Sequence, residues 1–293
     1  MKSIFFKTSF VLLLLLVFGK LRVNEGKETY NKFNNDFQGQ AFYISKSKME
    51  LGRWGDRLSE AQKKQIEARL KNRLEKEYIL TFNKEEALFY EDEKLDAMSG
   101  ATDSWGKNFS PGKQYKNVKT NTQIQNQEFY GKQFLVKDKL LDINWVLGKE
   151  TKQIGNYTCF KATASIPTNE LAWYDFSWSR LRNSDNTTEK QSDSINKTNE
   201  EPNVDMTDVE AWYSPQVPVG HGPLEYWGLP GLILEVSAGN TVMLCTKIVL
   251  NPKEKLEIVA PEKGKEITKV EYQKTIVEKM EEFRNNRMGR SRG

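Results

Sequence analysis

At 293 residues the chain could hold one large domain or two small ones, and 29% charged residues with a mean hydropathy of −0.69 suit a soluble, polar-surfaced protein. The formal net charge of +4 falls to about +2 once a leader holding Lys2 and Lys7 is removed, too balanced for the footprint of a nucleic-acid binder. Two cysteines and a single histidine leave little material for a metal centre or a nucleophilic triad.

Lys2 and Lys7 precede an apolar run over 10–18, with Gly19 after it. A positive start, a short apolar core and a small residue read as a secretory signal peptide over residues 1–19, and the run is about half the twenty residues a membrane span needs. No cysteine precedes Cys159, which closes the lipoprotein route. The expected location is therefore beyond the inner membrane, periplasmic or outer-membrane associated, without a lipid anchor. Residues 20–38 read as a loose polar lead-in, 39–285 as a single β-rich domain and 286–293 as a frayed basic tail.

Within that domain a first strand is expected over 39–49. Ser59 and Gln62 have capping-box spacing, and Ile66, Leu70 and Leu74, extended by Leu58 and Tyr78, form a narrow apolar stripe on a charged helix. A strand pair follows over 78–83 and 87–91. Trp105 and Phe109 lie in a glycine- and proline-bearing loop over 97–114 and read as a plug folded back on the core. Short β-rich runs every 8 to 12 residues from 115 to 164 predict an antiparallel meander, continued over 169–182 by Trp173, Tyr174, Phe176 and Trp178. Residues 183–208, nearly devoid of apolar side chains, read as a disordered insertion at the tip of a hairpin whose strands hold Tyr174 and Trp212. After the central stretch, Gly239 and Asn240 predict a hairpin between 232–237 and 241–250, and 256–259 reads as a short edge strand. Thr268 and Glu271 repeat the capping box, and Val270, Lys274, Val277, Met280 and Phe283 mark a C-terminal helix.

The stretch 209–236 organises the rest. It opens as a strand, breaks at Pro215 and Pro218, crosses Gly220, Gly222 and Pro223, and re-enters a strand at Leu232. Leu229-Pro230-Gly231 predicts a type II turn, with proline presetting φ and Gly231 taking the positive φ. Trp212, Tyr213, Tyr226 and Trp227 crowd the loop and predict that it is pinned on a core.

Gly228-Leu229-Pro230-Gly231-Leu232-Ile233, preceded by Trp212-Tyr213-Ser214-Pro215 and Gly222-Pro223, resembles the signature of the GLPGLI family, secreted proteins found chiefly in Bacteroidota. The likeness extends to 155–162 and 244–248 and covers most of 39–285. It implies no established activity, cofactor or catalytic residue.

Read from the residues, His221 between two glycines is a loop histidine, with a metal contact or general-base role as the alternatives. Glu225 and Glu235 flank the Leu-Pro-Gly turn, where paired carboxylates could divide acid and base roles. Cys159 and Cys245 lack zinc-motif spacing; a disulfide, two buried thiols and a metal contact are the open readings.

The expectation is an α+β fold, mainly an antiparallel curved β-sheet, half-barrel-like, with an N-terminal and a C-terminal helix packed on it. The expected function is a non-enzymatic binding protein for an apolar, lipid-like ligand in the sheet's concavity or for an outer-membrane partner, with Trp212, Tyr213, His221, Tyr226 and Trp227 as contact candidates. Catalytic residues, metal, cofactor and nucleic-acid partners are expected to be absent. The alternatives are a carboxylate-dependent hydrolase using Glu225 and His221, and a metal-handling protein using His221 and the cysteines.

Overall fold

The computed structural model describes residues 37–48, 55–92, 112–174, 176 and 205–290. The apolar leader, most of the lead-in, Trp105 and Phe109, Trp178 and residues 183–204 of the insertion lie outside the described residues.

Twelve strands form one sheet. Strands β1 (Gln38–Ser47), β2 (Glu75–Asn83), β3 (Glu86–Glu91), β4 (Gln114–Asn117), β5 (Thr122–Phe129) and β6 (Lys132–Asp138) pair antiparallel in sequence order. A second antiparallel run holds β7 (Val146–Ile154), β8 (Tyr157–Pro167), β9 (Met206–Ser214), β10 (Leu232–Ala238) and β11 (Thr241–Leu250). The runs join where β1 pairs with β11, and β12 (Lys265–Ile267) closes the far side as a parallel partner of β6.

This order dictates the curvature. β6 and β7 stand ten positions apart in the sheet, about 48 Å if it were flat. Only residues 139–145 connect them, a reach of about 28 Å at full extension. The sheet must curl, and it does so as an open, half-barrel-like α+β fold, as expected. Along the connection Leu140 is buried, and Leu141, Ile143 and Trp145 pack on the core from the concave side.

Two apolar clusters result. The larger joins Tyr43, Leu80, Phe82 and Phe89 to Ala162, Ala211, Leu232 and Leu234. The smaller holds Phe129, Phe134, Val136 and Trp173 with Tyr272, Ile276 and Met280 of the C-terminal helix.

The helices are α1 (Glu60–Leu74), the single turn α2 (Thr168–Leu171) and α3 (Lys269–Arg290). Both predicted capping boxes form. The Gln62 amide donates to Ser59 Oγ while Gln62 Oε1 accepts from the Ser59 amide, and Thr268 with Glu271 repeats the exchange. On α1 the stripe Ile66, Leu70 and Leu74 is only half-buried, and Tyr78 belongs to β2.

Several expectations are corrected. The buried face of α3 is Tyr272, Ile276 and Met280, whereas Val270 is 72% exposed, and the helix extends to Arg290 through most of the supposed tail. Trp212 pairs with Lys161 of β8; Tyr174 is not in a strand, because α2 ends that run. β9 already begins at Met206, inside the predicted insertion, and 256–259 is not a strand.

Candidate functional site

Residues 215–231 form a strap across the concave side, between β9 and β10. Its backbone is bonded within itself and to the first residues of β10: Gly228 N–H donates to Gly220 O at 2.9 Å, Leu232 N–H to Val217 O at 2.9 Å and Ile233 N–H to His221 O at 3.0 Å. Outside contacts pin its flank, with Trp145 Nε1 donating to Trp227 O at 2.8 Å and Trp227 Nε1 to Leu141 O at 2.7 Å. Val217, Val219, Tyr226 and Leu229 bury into the larger cluster.

The Leu-Pro-Gly bend is not the expected type II turn. Positive φ falls on Gly228, at 90°, and not on Gly231. Gly231 N–H donates to Leu229 O at 2.8 Å, closing a three-residue turn about Pro230. Gly231 is required for another reason: a Cβ there would sit 2.3 Å from Ser214 O. The glycine lets the strap's end lie directly on the backbone of β9.

On the other half of the sheet, Lys116 of β4 is fully buried and donates to three strap carbonyls, Gly222 and Leu224 at 2.7 Å and Tyr226 at 3.3 Å. An ammonium has three N–H donors, and here each has an acceptor. Burial pushes the Lys116 pKa down to about 7, opposed by the charge of Glu225 and reinforced by that of Lys269.

Glu225, next to Leu224, is the centre of the cluster. Its Oε1 accepts from Gln114 Nε2 at 3.1 Å, Gln123 Nε2 at 3.0 Å and Trp173 Nε1 at 2.8 Å. Its Oε2 faces Lys269 Nζ at 3.4 Å, at the start of α3. Strands β4 and β5, the turn after α2 and the start of α3 therefore converge on one buried carboxylate of the strap.

The strand behind it is inside out. Along β5, Gln123, Gln125 and Gln127 are buried, and Ile124 between them is only half-buried. Register places Gln125 opposite Gln114 and Gln123 opposite Lys116, giving a polar patch two strands wide on the concave face. The patch is not self-satisfied: Gln114 Oε1, Gln123 Oε1, Gln125 Nε2, Gln127 Nε2 and Tyr272 OH have no hydrogen-bond partner. Tyr272 packs edge-on against Phe134 at 5.4 Å, and Phe134 is the cross-strand partner of Gln127. All five atoms are sealed from solvent, so the patch is packed shut where the strap, Trp173 and α3 meet the sheet.

His221 lies elsewhere on the strap. Its Nε2 donates to the Asn83 carbonyl at 3.0 Å beside Phe82, and Nδ1 has no partner. Burial, reinforced by the charge of Lys116, holds its pKa down to about 3, so the imidazole is neutral. Glu225 and His221 share no hydrogen bond. Glu235 is apart from both on β10, accepting from Lys152 at 2.7 Å.

The other contact candidates make packing contacts within the fold. Trp212 is buried under the Lys152 ammonium, 4.3 Å from the ring centroid, and Tyr213 packs against Phe160. Tyr226 is buried and Trp227 is half-buried on the Leu141 side. Cys159 and Cys245 are buried free thiols, because β10 and β9 intervene between their strands. Burial raises their pKa values to about 11 and about 12, which leaves them inert. Among the described residues no three of His, Cys, Asp and Glu are grouped to hold a metal.

An open trough of about 550 Å³ lies away from Glu225, among Thr163, Ser165, Asp208, Glu210 and Ser237. Its Glu210 is already engaged by Lys161 and Trp212. The buried cluster, where strap, sheet and α3 meet on Glu225 and Lys116, is the more elaborately built of the two. Sequence reasoning missed its glutamines and Lys116; the available signal was Gln-x-Gln-x-Gln at strand period with isoleucine in the alternate phase.

The class defined by these features is an open, curved antiparallel sheet whose own strap closes over a buried polar cluster. Residues 145–235, about a third of the chain, match a family described as "Protein of unknown function (Porph_ging)", a span running from β7 through the strap into β10. No curated protein matches the chain. Two crystal forms of PNGF-II are similar at 14% identity, with TM-scores of 0.46 and 0.45 over 82% of this chain. The chain spans about a third of the length of those structures, 32% and 33%.

Proposed function

We propose that the chain is an exported, non-enzymatic binding protein that takes a partner at the outer membrane along strand β7. The observation that carries this reading is that β7 ends the sheet among the described residues, with Val146 67% and Leu147 56% exposed. An apolar ligand in the concavity is disfavoured, because Val217, Val219, Tyr226 and Leu229 of the strap pack into the larger apolar cluster. The non-enzymatic part is supported by the separation of Glu225 from His221, each bonded to different elements. Export rests on the apolar run at 10–18, and membership of the GLPGLI family on the signature at 228–233.

An edge such as β7 can take an added strand. A photo-crosslinker at Leu147 should capture an outer-membrane protein in cells; an uncrosslinked chain would count against this reading.

A further inference from the structure

We infer that the outer end of α3, together with the β5–β6 turn beside it, docks on a membrane surface carrying anionic head groups. Two independent features point there, one on the helix and one on the turn. The turn stands at the opposite end of the strand order from β7, so this surface is separate from the edge proposed above.

The helix carries a row of residues that changes character along its length. Tyr272, Ile276 and Met280 form its buried face, and Phe283, Arg287 and Arg290 continue the row at steps of three or four residues, on the same side of the helix. Met280 is 4% exposed and Phe283 41%, so the edge of the domain falls between them. Beyond that edge the row turns from apolar to basic. Residues 284–290 hold three arginines and no acid. Glu278, Glu281 and Glu282 lie about 100° or more round the helix from Phe283. Cations near a helix C-terminus suit its dipole, but the dipole does not dictate a face. Arg287 and Arg290, in register with the buried row, give the overhanging turns one basic side.

The turn places an aromatic ring next to that side. Tyr130 and Gly131 have φ 47° and 74°, the signs of a type I′ hairpin, in which asparagine followed by glycine is the favoured pair. A tyrosine in the left-handed region is strained, and here its ring is still 43% exposed. It meets Phe129 edge-on at 4.8 Å and Phe283 at 4.7 Å. Two half-exposed rings therefore mark the edge of the domain, with Arg287 and Arg290 about 6 and 10 Å further along the helix axis than Phe283. Rings at head-group depth beside guanidinium groups on phosphates make an interfacial anchor. An acidic peptide would use the arginines and leave the strained tyrosine without a role, and the small net charge of the chain disfavours nucleic acid. Among the described residues no helix is long and apolar enough to cross a membrane, and this attachment is peripheral.

Co-sedimentation of the full chain with vesicles tests this, using phosphatidylcholine alone and phosphatidylcholine mixed with phosphatidylglycerol. The inference predicts partitioning roughly tenfold or more stronger onto the anionic vesicles, lost in high salt. Arg287→Gln with Arg290→Gln should weaken that partitioning by roughly tenfold. Tyr130→Asn supplies the residue that the turn favours, so the chain should stay folded while partitioning falls several-fold. Equal partitioning onto both kinds of vesicle, or an arginine variant that partitions like the wild type, would overturn the inference. So would a chain absent from both vesicles, whether or not poly-glutamate or duplex DNA binds in their place.

Discussion

Lys116 donates to the carbonyl of Leu224 at 2.7 Å across 108 residues of sequence, and Leu224 is held at φ 45°, in the left-handed region. A non-glycine residue there costs about 1–2 kcal/mol, and the three carbonyl bonds to the ammonium offset that cost. The strained residue is the one that aims Glu225, its neighbour, into the polar cluster. The lysine is thus a clamp that shapes the strap from the opposite half of the sheet.

Lys116→Met keeps the volume and orphans three strap carbonyls. A loss of roughly 3–5 kcal/mol in stability is expected, read as a lower midpoint in urea at an unchanged slope. The wild-type chain carries a further signature. Because the folded pKa, about 7, lies below the ordinary lysine value near 10.5, the unfolded chain binds the extra proton between those pH values. Stability from this group therefore rises with pH across that window and is lost as pH falls toward 7. The slope should vanish in Lys116→Met; its persistence there would assign it to another group.

His221 is the chain's one histidine, so its titration can be followed without assignment by proton NMR. Burial lowers its pKa to about 3, and the unfolded chain protonates near 6.5. Stability from the neutral imidazole is complete above 6.5 and declines as pH falls toward 3, by on the order of 4 kcal/mol. The ring resonances should stay at their neutral positions at pH 5. A midpoint between 6 and 7 in the folded chain would contradict the buried placement against Asn83.

Glu225→Gln leaves Lys269 as a buried ammonium without a counter-charge. About 3–5 kcal/mol should be lost. Adding Lys269→Met should recover much of it, since the pair is then removed together. Additive losses would show that the two residues act independently.

Gly231→Ala and Gly228→Ala separate two requirements within one signature. At Gly231 the methyl meets the Ser214 carbonyl, and at Gly228 it meets open space near Trp145 but a φ of 90°. Alanine at 228 should cost about 1–2 kcal/mol from backbone strain. At 231 the cost should be larger, because the neighbour is backbone and cannot rotate away. Equal costs would point to conformation alone at both sites.

The strand positions were legible where one face is apolar: Tyr78, Leu80 and Phe82 on β2, and Leu232, Leu234 and Val236 on β10. The capping boxes were legible because they are local, three residues apart. The cluster was not, for a physical reason. Alternating glutamines normally mark a solvent face, and it is the strap, arriving from about a hundred residues away, together with Trp173 and α3 that makes the face of β5 an interior one. The phase of α3 failed similarly: Val270 and Phe283 fit a helical stripe as well as Tyr272 and Ile276, and the tertiary partner Phe134 decided between them. The Gly231 error arose because a proline–glycine pair fits a local turn, whereas the constraint was a neighbouring strand's carbonyl.

A crystal structure of the purified chain at atomic resolution, focused on Glu225, tests the central claim most directly. The account predicts its carboxylate bonded to Gln114, Gln123, Trp173 and Lys269, with Lys116 on the three strap carbonyls. A strap lifted from the sheet, with Glu225 facing solvent, would contradict it.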